Sequence, residues 1–223
     1  MTKRLLSFAD VRHAVNVTTT TASGAQTIDR LLVAAAGAFA DKGFHATTTR
    51  DIASRAGLSP AGVYVHFSSK EDLLHALSHT GHEAARDLVR TAASGPGTAG
   101  DRLSRVMSSF SRWHADHHEV ARVVQYEFPH LTPAHRDDVL TLRKQIDAIV
   151  RAVLRDGVDA GELSVDNIAD TALALMSLCI DVARWYSPSI TRRPAEIGAT
   201  YAALGLRLVA APGRRGQGPR QAG

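Results

Sequence analysis

The residues best suited to binding chemistry lie on a short stretch that begins at Ser59-Pro60. A hydroxyl residue followed by proline is typical of a helix N-cap and first turn. The helix would leave a face of small or hydrogen-bonding groups free, made of Ser59, Ala61, Gly62, Tyr64 and His66. Groups of this size fit a DNA major groove about 12 Å wide. Unpaired N–H groups at the helix start and Lys70 nearby would attract phosphate, so the pattern predicts recognition of double-stranded DNA.

The neighbouring elements must hold that face outward. Thr48-x-x-Asp51 has capping-box spacing and predicts a helix over Thr49–Ala56, which ends where Gly57 permits a left-handed turn. Ser69-x-x-Asp72 marks the start of a further helix. Seven apolar residues would point inward, namely Phe39, Phe44, Ile52, Ala53, Leu58, Val63 and Phe67. The pattern is that of a helix-turn-helix.

The same segment resembles the TetR family of bacterial regulators. The resemblance rests on Gly43-Phe44, Ala46-Thr47-Thr48, Arg50-Asp51-Ile52-Ala53, Ala56-Gly57-Leu58-Ser59, Tyr64, His66-Phe67 and Ser69-Lys70-Glu71-Asp72-Leu73-Leu74. It implies base contacts around Ala61 and Gly62. It also implies phosphate contacts from Thr48, Thr49, Ser59, Tyr64, His66 and Lys70.

Two positions depart from the family pattern. Ala61-Gly62 replaces a common Gly-Thr pair, and Val65 replaces a frequent polar or aromatic residue. Few side chains are then left to contact bases directly. We expect sequence preference to depend on Arg50, on contact of Ala61 with thymine methyl groups, and on DNA shape.

Charge alone does not establish DNA binding. The formal net charge is +4 and the pI is near 9.6, but residues 27–75 carry five basic and five acidic side chains. Whole-chain charge affects solubility and non-specific attraction only.

Composition excludes several other classes of protein. The single cysteine, Cys179, permits neither a disulfide nor a cysteine-based zinc site. The most apolar run, Thr171 to Ile180, has about half of the ~20 residues that a bilayer span needs. No phosphate-binding glycine loop, nucleophile elbow or HExxH motif is present. We expect a cytoplasmic protein without cofactor, membrane partner or catalytic residues.

The second half of the chain has the pattern of a helical dimerisation domain. A helix from Val165 to Tyr186 is apolar on nearly every side, and the last helix, Pro194 to Val209, is similarly apolar. Both would pack against their counterparts in a second subunit, with close contact at the small residues Gly198, Ala202 and Gly205. A homodimer would face DNA half-sites related by a dyad.

A ligand pocket is expected in the same half. The segments from Trp113 to Pro133 and Arg184-Trp185-Tyr186-Ser187-Pro188 resemble a TetR subgroup that regulates lipid and sterol catabolism and includes sensors of acyl-CoA thioesters. This resemblance implies a hydrophobic or acyl-CoA-type effector. Ordinary core packing is the alternative role for each pocket candidate, namely Trp113, Tyr126, Phe128, Met176 and Trp185.

Nearby histidines raise the question of a metal. His114 and His118 share a helical face, but the sequence supplies no matched distal ligand, so we interpret them as residues of a solvated helix end and predict no metal site. Two alternatives to a ligand-responsive regulator stay open: a DNA-binding regulator without a ligand, and a helical enzyme with an unrecognised site.

The chain is expected to be all-α. We divide it into a disordered N-terminal extension (1–26), a three-helix helix-turn-helix domain (27–75), a helical ligand-binding and dimerisation domain (76–210) and a flexible basic tail (211–223).

Overall fold

The chain folds into helices joined by short loops. The computed structural model describes residues 22–210, so the predicted tail and residues 1–21 of the predicted extension lie outside the described residues. The described part contains no strand, which confirms the all-α prediction. Its helices are α1 (Ala22–Ala46), α2 (Thr49–Ala56), α3 (Pro60–Tyr64), α4 (Lys70–Ser94), α5 (Ala99–Asp116), α6 (His118–Tyr126), the short 3-10 helix Phe128–His130, α7 (Pro133–Asp159), α8 (Ile168–Trp185) and α9 (Pro194–Val209). None of them is both long and apolar enough to cross a bilayer.

Local capping explains where α2, α3 and α4 begin. Thr48 and Asp51 form both halves of a capping box, and the Ser59 hydroxyl accepts a hydrogen bond from the Gly62 amide. Gly57 ends α2 in the left-handed region at φ 65° and ψ 38°. Two elements differ from the prediction in their bounds. Helix α1 begins at Ala22, so residues 22–26 are helical instead of belonging to the extension, and α8 spans Ile168–Trp185 instead of Val165 to Tyr186.

The helices enclose two main hydrophobic cores. The first, here called the head core, is formed by helices α1, α2 and α3 and the first turns of α4. It also contains Val120, Val123 and Val124 of α6. The second core lies among the end of α4 and helices α5, α7, α8 and α9. Because α6 packs into the head, the head core includes residues from beyond the predicted domain boundary at 75.

Helix α9 is held against α5 of its own chain through glycines. A Cβ atom added to Gly198 would lie 2.6 Å from the backbone oxygen of Ser108, and one added to Gly205 would lie 3.1 Å from Met107. Our expectation that these glycines contact a second subunit is therefore wrong: they allow α9 to pack on α5.

Replacing Gly198 by alanine is expected to lower the free energy of unfolding by about 1–3 kcal/mol, because the new methyl group meets backbone that cannot move freely. Urea denaturation measures the change. Gly81→Ala is the control, since a Cβ there meets nothing within 4 Å and alanine favours a helix. Equal stabilities of Gly198→Ala and wild type would contradict the tight α5–α9 contact.

Candidate nucleic-acid interface and interior cavity

The outer face of α3 is uncovered. Val63 is fully buried and anchors the helix in the head core, whereas the Tyr64 side chain is 56% exposed and Val65 is 78% exposed. Ser59 and Ala61 are also exposed, and Gly62 and His66 are half-buried. The helix thus has the orientation that the sequence predicts, with its small and hydrogen-bonding side chains facing outward.

The predicted contact residues at the start of α2 lie in and next to its N-terminal cap. The Thr48 hydroxyl donates to Asp51 at 2.7 Å and accepts from the Asp51 amide at 3.1 Å. Hydrogen bonds from Lys42 and Thr48 hold the pKa of the Asp51 carboxyl well below its usual range. Arg50 is exposed, and Thr49 is half-buried. The proton of the Thr48 hydroxyl is therefore already used within the cap, whereas Arg50 is available to an anion.

Lys70 occupies a structural position that the sequence did not indicate. Its ammonium donates to the backbone oxygens of Phe44, His45 and Thr47 at 2.7, 3.2 and 2.9 Å. The nitrogen also lies 4.4 Å from the centre of the Phe44 ring. Because an ammonium has three N–H groups, all of them are engaged, and Lys70 ties the end of α1 to the start of α4.

A cavity of about 570 Å³ lies among α4 to α8. Of the predicted pocket residues, the structure brings Trp113 and Met176 to its wall. Most of the remaining wall is apolar and includes Ala85, Phe110, Val120, Val124, Ile146 and Ile180. A space of this size and lining is suited to an apolar molecule.

The other three candidates do not line this cavity. Tyr126, at the end of α6, is 58% exposed. Phe128 packs against the head core and lies under the Arg143 guanidinium, 4.3 Å from ring to cation. Trp185 belongs to a separate small cluster with Tyr201. Helical spacing indicates that such residues lie on an apolar helix face. It does not indicate whether that face packs against another helix, lines the cavity or is exposed.

Sequence reasoning missed most of the polar residues of the cavity wall, and two of them, His82 and Arg143, form a hydrogen-bonded pair. The His82 ring donates from Nδ1 to the Ser78 carbonyl at 2.7 Å and accepts at Nε2 from the Arg143 Nε–H at 3.0 Å. Burial and the nearby Arg143 charge lower the pKa of His82 to about 4, so the ring is neutral. Arg143 is half-buried and forms no ion pair within residues 22–210. The sequence offered one signal for His82: it shares a helix face with Leu74, Ser78 and Ala85, which indicates that the ring faces the protein interior.

The histidines near Trp113 are not solvated. His114 is 5% exposed and His118 is 9% exposed, and each Nδ1 is bonded to a backbone oxygen of its own segment, Phe110 for His114 and Ala115 for His118. The interpretation of this pair as a solvated helix end is wrong. His114 lines the cavity.

Helices α8 and α9 also carry exposed leucines. Leu178 of α8 and Leu204 and Leu208 of α9 are exposed, and the Leu208 side chain is 61% exposed. Leu175, by contrast, is fully buried. Within one chain these two helices are therefore not buried on every side, and each presents leucine side chains to solvent.

Comparison with known proteins gives consistent matches over both parts of the chain. Residues 31–77 match the family model described as bacterial regulatory proteins, tetR family, and residues 96–209 match the Tetracyclin repressor-like C-terminal domain. The HTH-type transcriptional repressor KstR2 of Rhodococcus jostii is 31% identical over 188 residues, which cover 82% of this chain and 90% of that protein.

Two solved structures are similar along most of their length. A tetR-family regulatory protein from Rhodococcus RHA1 has a TM-score of 0.79 and 37% identity, covering 84% of this chain and 98% of that one. The ketosteroid transcriptional regulator KstR2 of Mycobacterium tuberculosis has a TM-score of 0.75 and 25% identity, and the match covers 82% of this chain and 94% of that one.

Proposed function

Because the chain belongs to the TetR family and is a DNA-binding transcriptional regulator, not an enzyme, we propose that it is a homodimeric repressor which a small effector releases from a dyad-symmetric operator. The observation that carries the proposal is the uncovered face of α3 above the buried Val63. The names of its KstR2 relatives, which describe repressors, support the direction of regulation.

The DNA contacts divide between bases and backbone. Ala61 and Gly62 are small enough to let α3 approach base edges closely, and we assign a further base contact to Arg50, which is exposed in the first turn of α2. We expect Ser59 and Tyr64 to donate hydrogen bonds to phosphate oxygens, because contacts of this kind position a protein on its site. We assign further phosphate contacts to Thr49 and His66. Thr48 and Lys70 would contact phosphate only by exchanging an internal hydrogen bond for a phosphate oxygen, because their donor protons are engaged within the head.

Tyr64→Ala is expected to weaken operator binding about tenfold, because it removes a hydrogen bond to a charged phosphate. Fluorescence anisotropy with duplexes from the region upstream of the gene measures the affinity. Tyr126→Ala is the matched control, since Tyr126 is equally exposed but lies on α6. A Tyr64→Ala protein that binds as tightly as the control would refute the proposed orientation of α3 on DNA.

The exposed leucines of α8 and α9 form the proposed subunit contact. Apolar surface on two adjacent helices favours association with an identical surface through a two-fold axis. Two copies of α3 would then face half-sites about one helical turn of DNA apart or a multiple of that distance.

The cavity supports an effector with an apolar body and an anionic group. Its wall is largely apolar, but Arg143 lies on it with no carboxylate partner in the described chain. A partly buried guanidinium gains stability from an anion that enters beside it. An acyl-CoA thioester or another acidic lipid has this chemistry. The alternative, a regulator without an effector, does not account for a cavity of about 570 Å³, because protein interiors are otherwise closely packed.

Helix α6 connects the cavity to the DNA-binding head. Val120 and Val124 line the cavity and also belong to the head core. Helix α4 runs without interruption from Lys70 to the cavity residues Gly81 and His82. An effector that displaces α6 or α4 would change the position of α3, and differential affinity of about 1–3 kcal/mol is enough for regulation.

Arg143→Met is expected to abolish release by anionic effectors while operator affinity without effector stays unchanged. The test measures operator binding in the presence of fatty acids and acyl-CoAs of graded chain length. Arg112→Met is the control, since Arg112 is an exposed arginine of α5 outside the cavity. Release of Arg143→Met at the wild-type effector concentration would contradict the anion assignment, and no release of wild type by any compound would remove the effector proposal.

A further inference from the structure

His114 is a nearly fully buried polar side chain in the wall of the effector cavity. The residue is 5% exposed, and two aromatic rings pack edge to face against its imidazole: Phe110 at 4.4 Å and Trp113 at 5.0 Å between ring centres. Both rings also line the cavity. His114 therefore has little freedom to turn, and its direction of hydrogen bonding is set by the fold.

The hydrogen bond at Nδ1 determines the tautomer. Nδ1 lies 2.9 Å from the backbone oxygen of Phe110, and a carbonyl oxygen can only accept, so the proton must be on Nδ1. Burial lowers the pKa of His114 to about 4, so the ring is neutral near pH 7. Nε2, on the far side of the ring, then carries a lone pair and acts as an acceptor.

The neighbouring histidine shows how such an acceptor is satisfied. His82 has the same tautomer, and its Nε2 accepts from Arg143. Nothing in the described chain donates to Nε2 of His114. Because Nε2 is not fully enclosed, solvent that enters the cavity can pair with it. An effector that displaces this solvent leaves the acceptor unpaired, at a cost in free energy, unless the effector itself supplies a donor.

We propose that Nε2 of His114 selects effectors that carry a hydrogen-bond donor, a hydroxyl or an amide N–H, within their apolar body. The proposal deepens the effector function proposed above and rests on it. Arg143 and His114 lie on different helices, α7 and α5. The effector class is thus an amphipathic molecule with an anionic group for Arg143 and an uncharged hydrogen-bond donor for His114. A plain saturated fatty acid supplies the anionic group but no donor for Nε2 of His114.

The test compares two uncharged probes of equal size, 1-decanol and 1-methoxynonane, which differ in having or lacking an O–H. Calorimetric titration of the full chain gives the ratio of their dissociation constants for wild type and for His114→Phe. The decanol preference is expected to fall about fivefold to tenfold in His114→Phe. His117→Phe is the matched control, because His117 has the same Nδ1 bond to a helix carbonyl but lies outside the cavity wall.

An unchanged ratio in His114→Phe overturns the proposal and leaves the effector cavity standing. Failure of both probes to bind wild type also overturns the proposal that the cavity is the effector site. If His114→Phe does not fold, long-range nitrogen–proton NMR of the wild-type ring decides: we expect a neutral Nδ1–H ring whose Nε2 resonance moves with decanol and not with the ether. An Nε2–H tautomer would overturn the proposal.

Discussion

Leu204→Glu combined with Leu208→Glu is expected to convert the protein to monomers and to lower operator affinity by at least about a hundredfold. Both leucines are exposed one turn apart on α9, so the change leaves the cores intact. In a dimer the new carboxylates would be buried without partners, which opposes association. A monomer holds one half-site and loses the gain from binding two linked sites, a factor of about 10² or more.

Sedimentation velocity and operator anisotropy measure the two consequences. Tyr126→Ala, which changes an exposed aromatic residue of α6, should remain dimeric. Urea denaturation of both variants separates dissociation from unfolding. A double variant that still sediments as a dimer would place the subunit contact on another surface.

Lys70→Met is expected to lower the free energy of unfolding by about 2–3 kcal/mol. The substitution removes three charged hydrogen bonds, to the backbone oxygens of Phe44, His45 and Thr47, and the first and last of these oxygens are partly buried. The Phe44 oxygen alone keeps a second backbone donor, the Thr47 amide. Urea denaturation tests this, with Lys144→Met as the control because Lys144 is an exposed lysine of α7. Equal stability of the two variants would show that the three contacts contribute little.

The same Lys70 variant tests its proposed contact with phosphate. If the ammonium also meets the DNA backbone, the slope of log affinity against log salt falls by about one unit. An unchanged slope, in a variant shown by circular dichroism to be folded, would limit Lys70 to joining α1 and α4. The two measurements distinguish a loss of DNA contact from a loss of stability.

Local signals predicted the helix-turn-helix well. The caps at Thr48, Ser59 and Ser69 and the left-handed Gly57 depend on hydrogen bonds and dihedral angles within three or four residues, so the sequence contains the information directly. The outward face of α3 follows from the same periodicity that buries Val63. The exposed face of α3 is in this sense a local property.

The candidate cavity was harder to predict. Trp113 and Met176 reach it, but Tyr126, Phe128 and Trp185 do not. Sequence spacing places all five on apolar helical segments, and only the packing of α6 against the head and of α8 against α5 decides which of them face the interior space. His82 and Arg143 escaped notice because 61 residues separate them along the chain.

By itself the sequence determined the all-α class, most helix boundaries and the free face of α3, because helix propensity, capping and turn geometry act over a few residues. The tertiary structure alone decided that Gly198 meets α5, that Lys70 binds the end of α1 and that His114 faces the cavity. Each of these depends on which distant helix packs opposite a given side chain. Helical periodicity indicates that a face is apolar but not which partner covers it.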